Sequence, residues 1–128
     1  MLGHHYRFAV LNGLSTAVSA SISVSRWKLA ADGSAVFDSE ELAFNHIALA
    51  NSDRASSITL DNSTDKWLGA EVYVSLDPNA AVDGMVLVEL QRSTDGGTTW
   101  PTFGFSQCVA GMHFTAASAA AKTMSFAI

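Results

Sequence analysis

The sequence predicts an all-β fold, an antiparallel β-sandwich or jelly-roll-like barrel of seven to eight short strands, and two observations carry that prediction. Apolar and polar residues alternate with period two over several runs, most clearly Ala17 to Arg26, Glu71 to Leu76 and Met85 to Arg92. That is the pattern of strands with one buried face. Turn signals such as Asn12-Gly13, Asp32-Gly33 and Asp77-Pro78 punctuate these runs. They recur about every 8–12 residues, the spacing of a sandwich or barrel.

Taken in order, Tyr6 to Leu11 is an apolar run closed by Asn12-Gly13 and predicts a first strand. From Ala17 to Arg26, Val18, Ala20, Ile22 and Val24 fall on one face, with Ser19, Ser21, Ser23 and Ser25 on the other. Trp27-Lys28-Leu29 extends it, and Asp32-Gly33 turns the chain into Ala35-Val36-Phe37. Over residues 39–50, Ser39 can cap a helix with Glu40 and Glu41 in its first turn. Leu42, Ile47 and Leu49 do not share one helical stripe, so the reading is a short helical turn at 39–43 followed by a strand. Ser57 to Leu60 reads as a short strand with Ile58 and Leu60 facing inward, and Asp61 to Asp65 as a polar turn.

In the next strand Val72, Val74 and Leu76 face one way, with Glu71, Tyr73 and Ser75 opposite, and Pro78 ends it. Val86, Val88 and Leu90 form the matching inner face of Met85 to Arg92. These two strands either pair antiparallel or face each other across the core. Phe103, Phe105, Val109, Met112 and Phe114 supply the later core. Ala116 to Ala121 is a small-residue turn or crossover, and Met124, Phe126 and Ile128 share a face of the last strand.

A length of 128 residues suits one domain, 1–128, that buries a core without staples. Charged residues make up only 15% of the chain, against about 25% in typical domains. Ala, Ser and Thr take their place, giving a surface poorly protected against association. The net charge is −5, and the seven basic residues are scattered. Without a Lys/Arg cluster to neutralise phosphates, neither nucleic acid nor an anionic membrane is an expected partner. Cys108, the one cysteine, excludes an intrachain disulfide and is expected to be a small buried hydrophobe. No run approaches the ~18 apolar residues of a spanning helix.

The chemistry-bearing residues do not assemble into a catalytic pattern. Glu71 and Glu89 are the one pair of carboxylates that neighbouring strands could bring to glycosidase spacing, and both read as strand-face acids in solvent or subunit contacts. His4, His5, His46 and His113 lack the i, i+2 or i, i+4 spacing of paired metal ligands. Asp61, Asn62 and Asp65 lack the spacing and final Glu of a calcium loop. The expectation is no catalytic residue, no metal and no cofactor.

The stretch Ser93-Thr94-Asp95-Gly96-Gly97-Thr98-Thr99-Trp100 reads as a β-hairpin tip, its glycines free to take positive φ. It fits the S-x-D-x-G-x-T-W pattern of the Asp box and so resembles that motif of sialidases and other β-proteins. The resemblance implies a structural hairpin of Ser93, Asp95, Gly97, Thr99 and Trp100, with the aspartate capping turn N–H groups and the tryptophan packed beneath. One box does not make a propeller. Arg7, Arg26, Arg54 and Arg92 are scattered, so no sialidase catalytic residue is carried over.

The runs Leu60 to Val74 and Val86 to Trp100 together resemble small β-sandwich virion proteins of tailed bacteriophages: an N-x-T turn, an acid-bearing strand, an Ala/Pro loop, then V-E-L leading to S-x-D-G. The resemblance implies a non-enzymatic structural protein of the virion, as a head decoration, head-fibre or tail-associated subunit, assembled in the host cytoplasm. Its expected partners are its own copies, in a closed homo-oligomer such as a trimer, and other capsid or tail proteins. Residues 1–8 are expected to act as a contact arm. The competing expectation is a carbohydrate-binding or receptor-binding module, with Trp27, Trp67 or Trp100 as stacking platforms.

Overall fold

The computed structural model describes residues 5–101 and 107–128. In chain order the strands are β1 (His5–Asn12), β2 (Val18–Leu29), β3 (Ala35–Phe37), β4 (Glu41–Leu49), β5 (Arg54–Ser56), β6 (Leu60–Asp61), β7 (Gly69–Pro78), β8 (Gly84–Ser93), β9 (Gln107–Phe114) and β10 (Lys122–Ala127). They form two five-stranded antiparallel sheets packed as a sandwich. Sheet I has the order β5-β1-β8-β9, with β6 also on β1. Sheet II has the order β10-β7-β2-β3, with β4 beside β3 on the same edge of β2.

Alternation in the sequence becomes the two faces of each sheet. Along β2 the apolar Val18, Ala20, Ile22 and Val24 are buried, and the four serines between them are half-exposed. They meet Tyr6, Phe8 and Val10 of β1, Val72, Val74 and Leu76 of β7, and Val86, Val88 and Leu90 of β8 in one core. Full burial of each such side chain contributes about 1.5–3 kcal/mol, so this core dominates the stability of the fold. β7 and β8 lie in opposite sheets and face each other across it.

Past the end of β1 the chain stays pressed against β8 of the same sheet. Gly13 N–H donates to Met85 O at 2.9 Å. A Cβ on Gly13 would come within 2.5 Å of that oxygen. Only glycine lets the backbones approach so closely. Beside it, Asn12 is fully buried and acts as a bracket. Its Nδ2 donates to Thr16 O and Leu49 O, and its Oδ1 accepts from Leu14 N–H.

Several expectations are corrected. The described residues form ten strands where seven to eight were expected, and two short strands, β5 and β6, stand on either side of 57–59 in place of the single strand expected at 57–60. Ile58 is half-exposed there instead of facing in, and its N–H donates to Ala43 O. The helical turn expected at 39–43 is the start of β4, paired with β2 through Val24↔Glu41. Of the two acids read as a helix start, Glu41 lies 3.5 Å from Arg26, which also pairs with Asp38 at 2.7 Å. Residues 5–8 of the expected contact arm belong to β1, with Tyr6 and Phe8 fully buried, while residues 1–4 lie outside the described residues. Phe103 and Phe105 also lie outside them. Cys108 is exposed, because its position opposite Glu89 turns it to the outer side of β9.

Candidate functional site

The stretch 93–100 lies at the end of β8, whose last residue, Ser93, pairs with His5 of β1. Among the described residues the return strand β9 runs from Gln107, opposite Leu90. Ser93 Oγ accepts the Gly97 N–H at 2.9 Å and donates to Asp95 Oδ1 at 2.7 Å. Asp95 in turn accepts the Thr99 N–H at 2.8 Å on Oδ1 and the Thr99 hydroxyl at 2.5 Å on Oδ2. Gly96 and Gly97 take φ of 74° and 87°, the left-handed region that glycine occupies without steric cost. The Thr99 hydroxyl, then its N–H, then Ser93 hold the Asp95 carboxyl down from 3.8 to about 2. All of these donors serve the turn itself. The carboxylate is engaged in shaping the loop.

Trp100 lies against the sheet. Its ring sits 4.3 Å from the Arg7 guanidinium carbon, and Arg7 Nε donates to Gln91 Oε1 at 2.7 Å. Gln91 Nε2 continues the chain to Pro101 O at 3.1 Å. Burial, then the nearby Arg54, lower the Arg7 pKa from its ordinary value. Arg54 itself pairs with Glu89. Among the described residues, the outer face of sheet I therefore carries two cations, Arg7 and Arg54, that are each already engaged.

The other candidates are kept apart by the topology. Glu71 is on β7 of sheet II and Glu89 on β8 of sheet I, so the two carboxylates do not share a face. Glu89 is also buried, contrary to its reading as an exposed strand-face acid. His5 lies 3.5 Å from Asp61, and His46 stacks on Phe44 at 6.1 Å between centroids. Among the described residues no three His, Cys, Asp or Glu converge as metal ligands. In the turn 61–67, Asn62 is buried and brackets Trp67, accepting its N–H at 2.6 Å and donating to its carbonyl at 3.0 Å. Asp61 accepts the Ser63 N–H, and Asp65 faces Lys28 at 3.9 Å. The three side chains point to separate partners and leave no common cation site.

The tryptophans are also committed. Trp67 is buried, with Lys28 Nζ 4.5 Å from its ring. Trp27 packs on Gly69, where a Cβ would lie 2.7 Å from Nε1. Trp100 has Arg7 over it.

What remains open is the outer face of sheet II. Its strand register sets Thr123, Ser75, Ser21 and Asn45 in one row across four strands, and Ser125, Tyr73, Ser23 and Leu42 in the next. Neither row contains a charge. Tyr73 and Leu42 are about half-exposed. The serine face of β2 was legible as alternation, but its continuation through β7 into β10 depends on strand order, which the sequence does not print. Comparison with known protein families, curated proteins and solved structures finds no match for this chain.

Proposed function

We propose that this chain is a structural subunit of a bacteriophage virion, a capsid decoration or a head- or tail-associated protein that acts through contacts with its own copies and with other virion proteins. The observation that carries this reading is the pair of uncharged rows at the middle of the outer face of sheet II, with exposed Tyr73 and Leu42, flanked by Asp77 opposite Ser19 and Glu71 opposite Ser25. These rows can be covered by a neighbour while the charges stay at their rim, so that the costly step in association, desolvating charge, is avoided. The resemblance of residues 60–74 and 86–100 to phage virion β-sandwiches supports the same role. The dispersal of Glu71, Glu89 and the histidines supports a protein without chemistry of its own. A carbohydrate-binding module is less favoured, because burial of Trp67 and the stack of Arg7 on Trp100 occupy the rings that would receive a sugar.

Sedimentation of an infected-cell lysate through a gradient tests the reading. The chain should travel with assembled particles and stay with them through a salt wash. Recovery only at the top of the gradient, together with saturable binding to a glycan array that Trp100→Ala abolishes, would replace it with the carbohydrate-binding alternative.

A further inference from the structure

We propose that a second copy of this chain adds to the edge of β10 that no strand among the described residues covers, antiparallel about a twofold axis, so that the two sheets II run on into one. This rests on subunit contact as the protein's role and names the surface that makes it.

The strands that end the two sheets are not equally open. β5 and β6 are three and two residues long, and β3 is three. β4 breaks register twice along β2 and holds Ala48 at a φ of 58° in the second break. β9 shifts register between Val88 and Glu89 of its neighbour. Shortness and bulges are the devices by which sheets refuse further strands. β10 has neither: its six residues pair with β7 in one unbroken register, from Lys122↔Leu76 to Ala127↔Glu71, and none is proline.

The residues of β10 point to its own copy as the occupant. The strand carries one charge, Lys122, at its N-terminal end, where Nζ donates to His113 O at 2.7 Å. Antiparallel self-pairing centred on Met124 or Ser125 sends the two lysines to opposite ends. A parallel neighbour would set them side by side, an unfavourable like-charge pair. Residues directly opposite in a sheet point the same way, so Thr123, Ser125 and Ala127 meet their counterparts on the hydroxyl face. Met124 and Phe126, half-buried in one copy, meet theirs on the inner side. The uncharged rows through Ser75 and Tyr73 then continue across the seam. Beside the edge, a cleft of ≈ 330 Å³ between β9 and β10 leaves Phe126 and Ile128 accessible to the partner's inner stripe. A contact of this size belongs at the small end of specific interfaces, so association in the micromolar range is expected.

Ser125 lies on the exposed face at the centre of the proposed seam, which makes it the position to test. Sedimentation equilibrium of the full chain from about 1 to 100 μM should show a dimer for the wild type. Ser125→Lys and Ser125→Glu should each be monomeric with a wild-type melting temperature, and an equimolar mixture of the two should recover the dimer. A Ser125→Lys variant that keeps the wild-type mass would overturn the β10 seam and leave the subunit role standing. A wild type that is monomeric throughout would overturn both self-association and the seam, and a trimer would overturn the twofold pairing. If Ser125→Lys fails to fold, Ser125→Cys in a Cys108→Ser background should form a disulfide-linked dimer on oxidation, and its absence would count against the seam.

Discussion

Arg54 of β5 and Glu89 of β8 form an ion pair that spans the strand between them, crossing β1 beside Ala9. Ala9 is fully buried although it sits on the outward side of β1, directly opposite Glu89. Its small side chain leaves room for the guanidinium to lie across the strand. The pair thus ties a three-residue edge strand to the centre of sheet I.

Because Glu89 is only 5% exposed, Glu89→Ala should lower stability by about 2–4 kcal/mol, as expected when one partner of a buried charge pair is left alone. Arg54→Ala should cost less, since that side chain is more exposed, and the double variant less than the sum. Urea denaturation would measure all three. A Glu89→Ala variant within about 0.5 kcal/mol of wild type would contradict the pair's role.

Acid should loosen the 93–100 turn in a defined window. The folded Asp95 carboxyl lies at about 2, below its ordinary 3.8, so the stabilisation it provides is complete above about pH 4 and is lost as pH falls toward 2. The protection factor of the Thr99 amide, which is corrected for the pH dependence of intrinsic exchange, should fall over that window in the wild type. Asp95→Asn should be weakly protected at every pH, and a turn equally protected in both proteins would refute the assignment.

Tyr6 gives the opposite limb. Burial raises its phenol from 10.0 to about 12, with Arg26 pulling it partly back. The raised folded value means that this stabilisation is present below pH 10 and is lost as pH rises through 12. The hydroxyl makes no protein hydrogen bond of good geometry. Tyr6→Phe should therefore be neutral or stabilising by up to about 1 kcal/mol at pH 7, and should remove the alkaline loss. A clear destabilisation at pH 7 would show that the hydroxyl is satisfied after all.

Ala48 holds a φ of 58° inside the second bulge of β4. Relief of the Cβ clash outweighs the added chain entropy, so Ala48→Gly should raise stability by about 0.5–1 kcal/mol. Thermal unfolding would show the gain, and a lower melting temperature would argue against the strain.

Strand faces were legible wherever alternation was strict: Val72, Val74 and Leu76 are buried as read, and so are Val86, Val88 and Leu90. Period two follows from backbone geometry alone, which is why it survives folding unchanged. Glu41 was misread because a capping serine followed by acids is a local signal. Its actual partner, Arg26, comes from another strand. Glu89 was placed on the correct outward side, yet its burial depends on Arg54 reaching over from β5. Asn12 and Asn62 read only as turn residues. That each brackets several backbone groups depends on how the loops close, and the sequence carries no periodic trace of it.

The proposed role as a subunit of a virus particle is tested by quantitative mass spectrometry of purified particles. A built-in subunit should be present at a fixed copy number per particle, in constant ratio to the major capsid or tail subunits across preparations and after salt washing. A chain absent from the particles, or present at a ratio that varies and falls with washing, would contradict it.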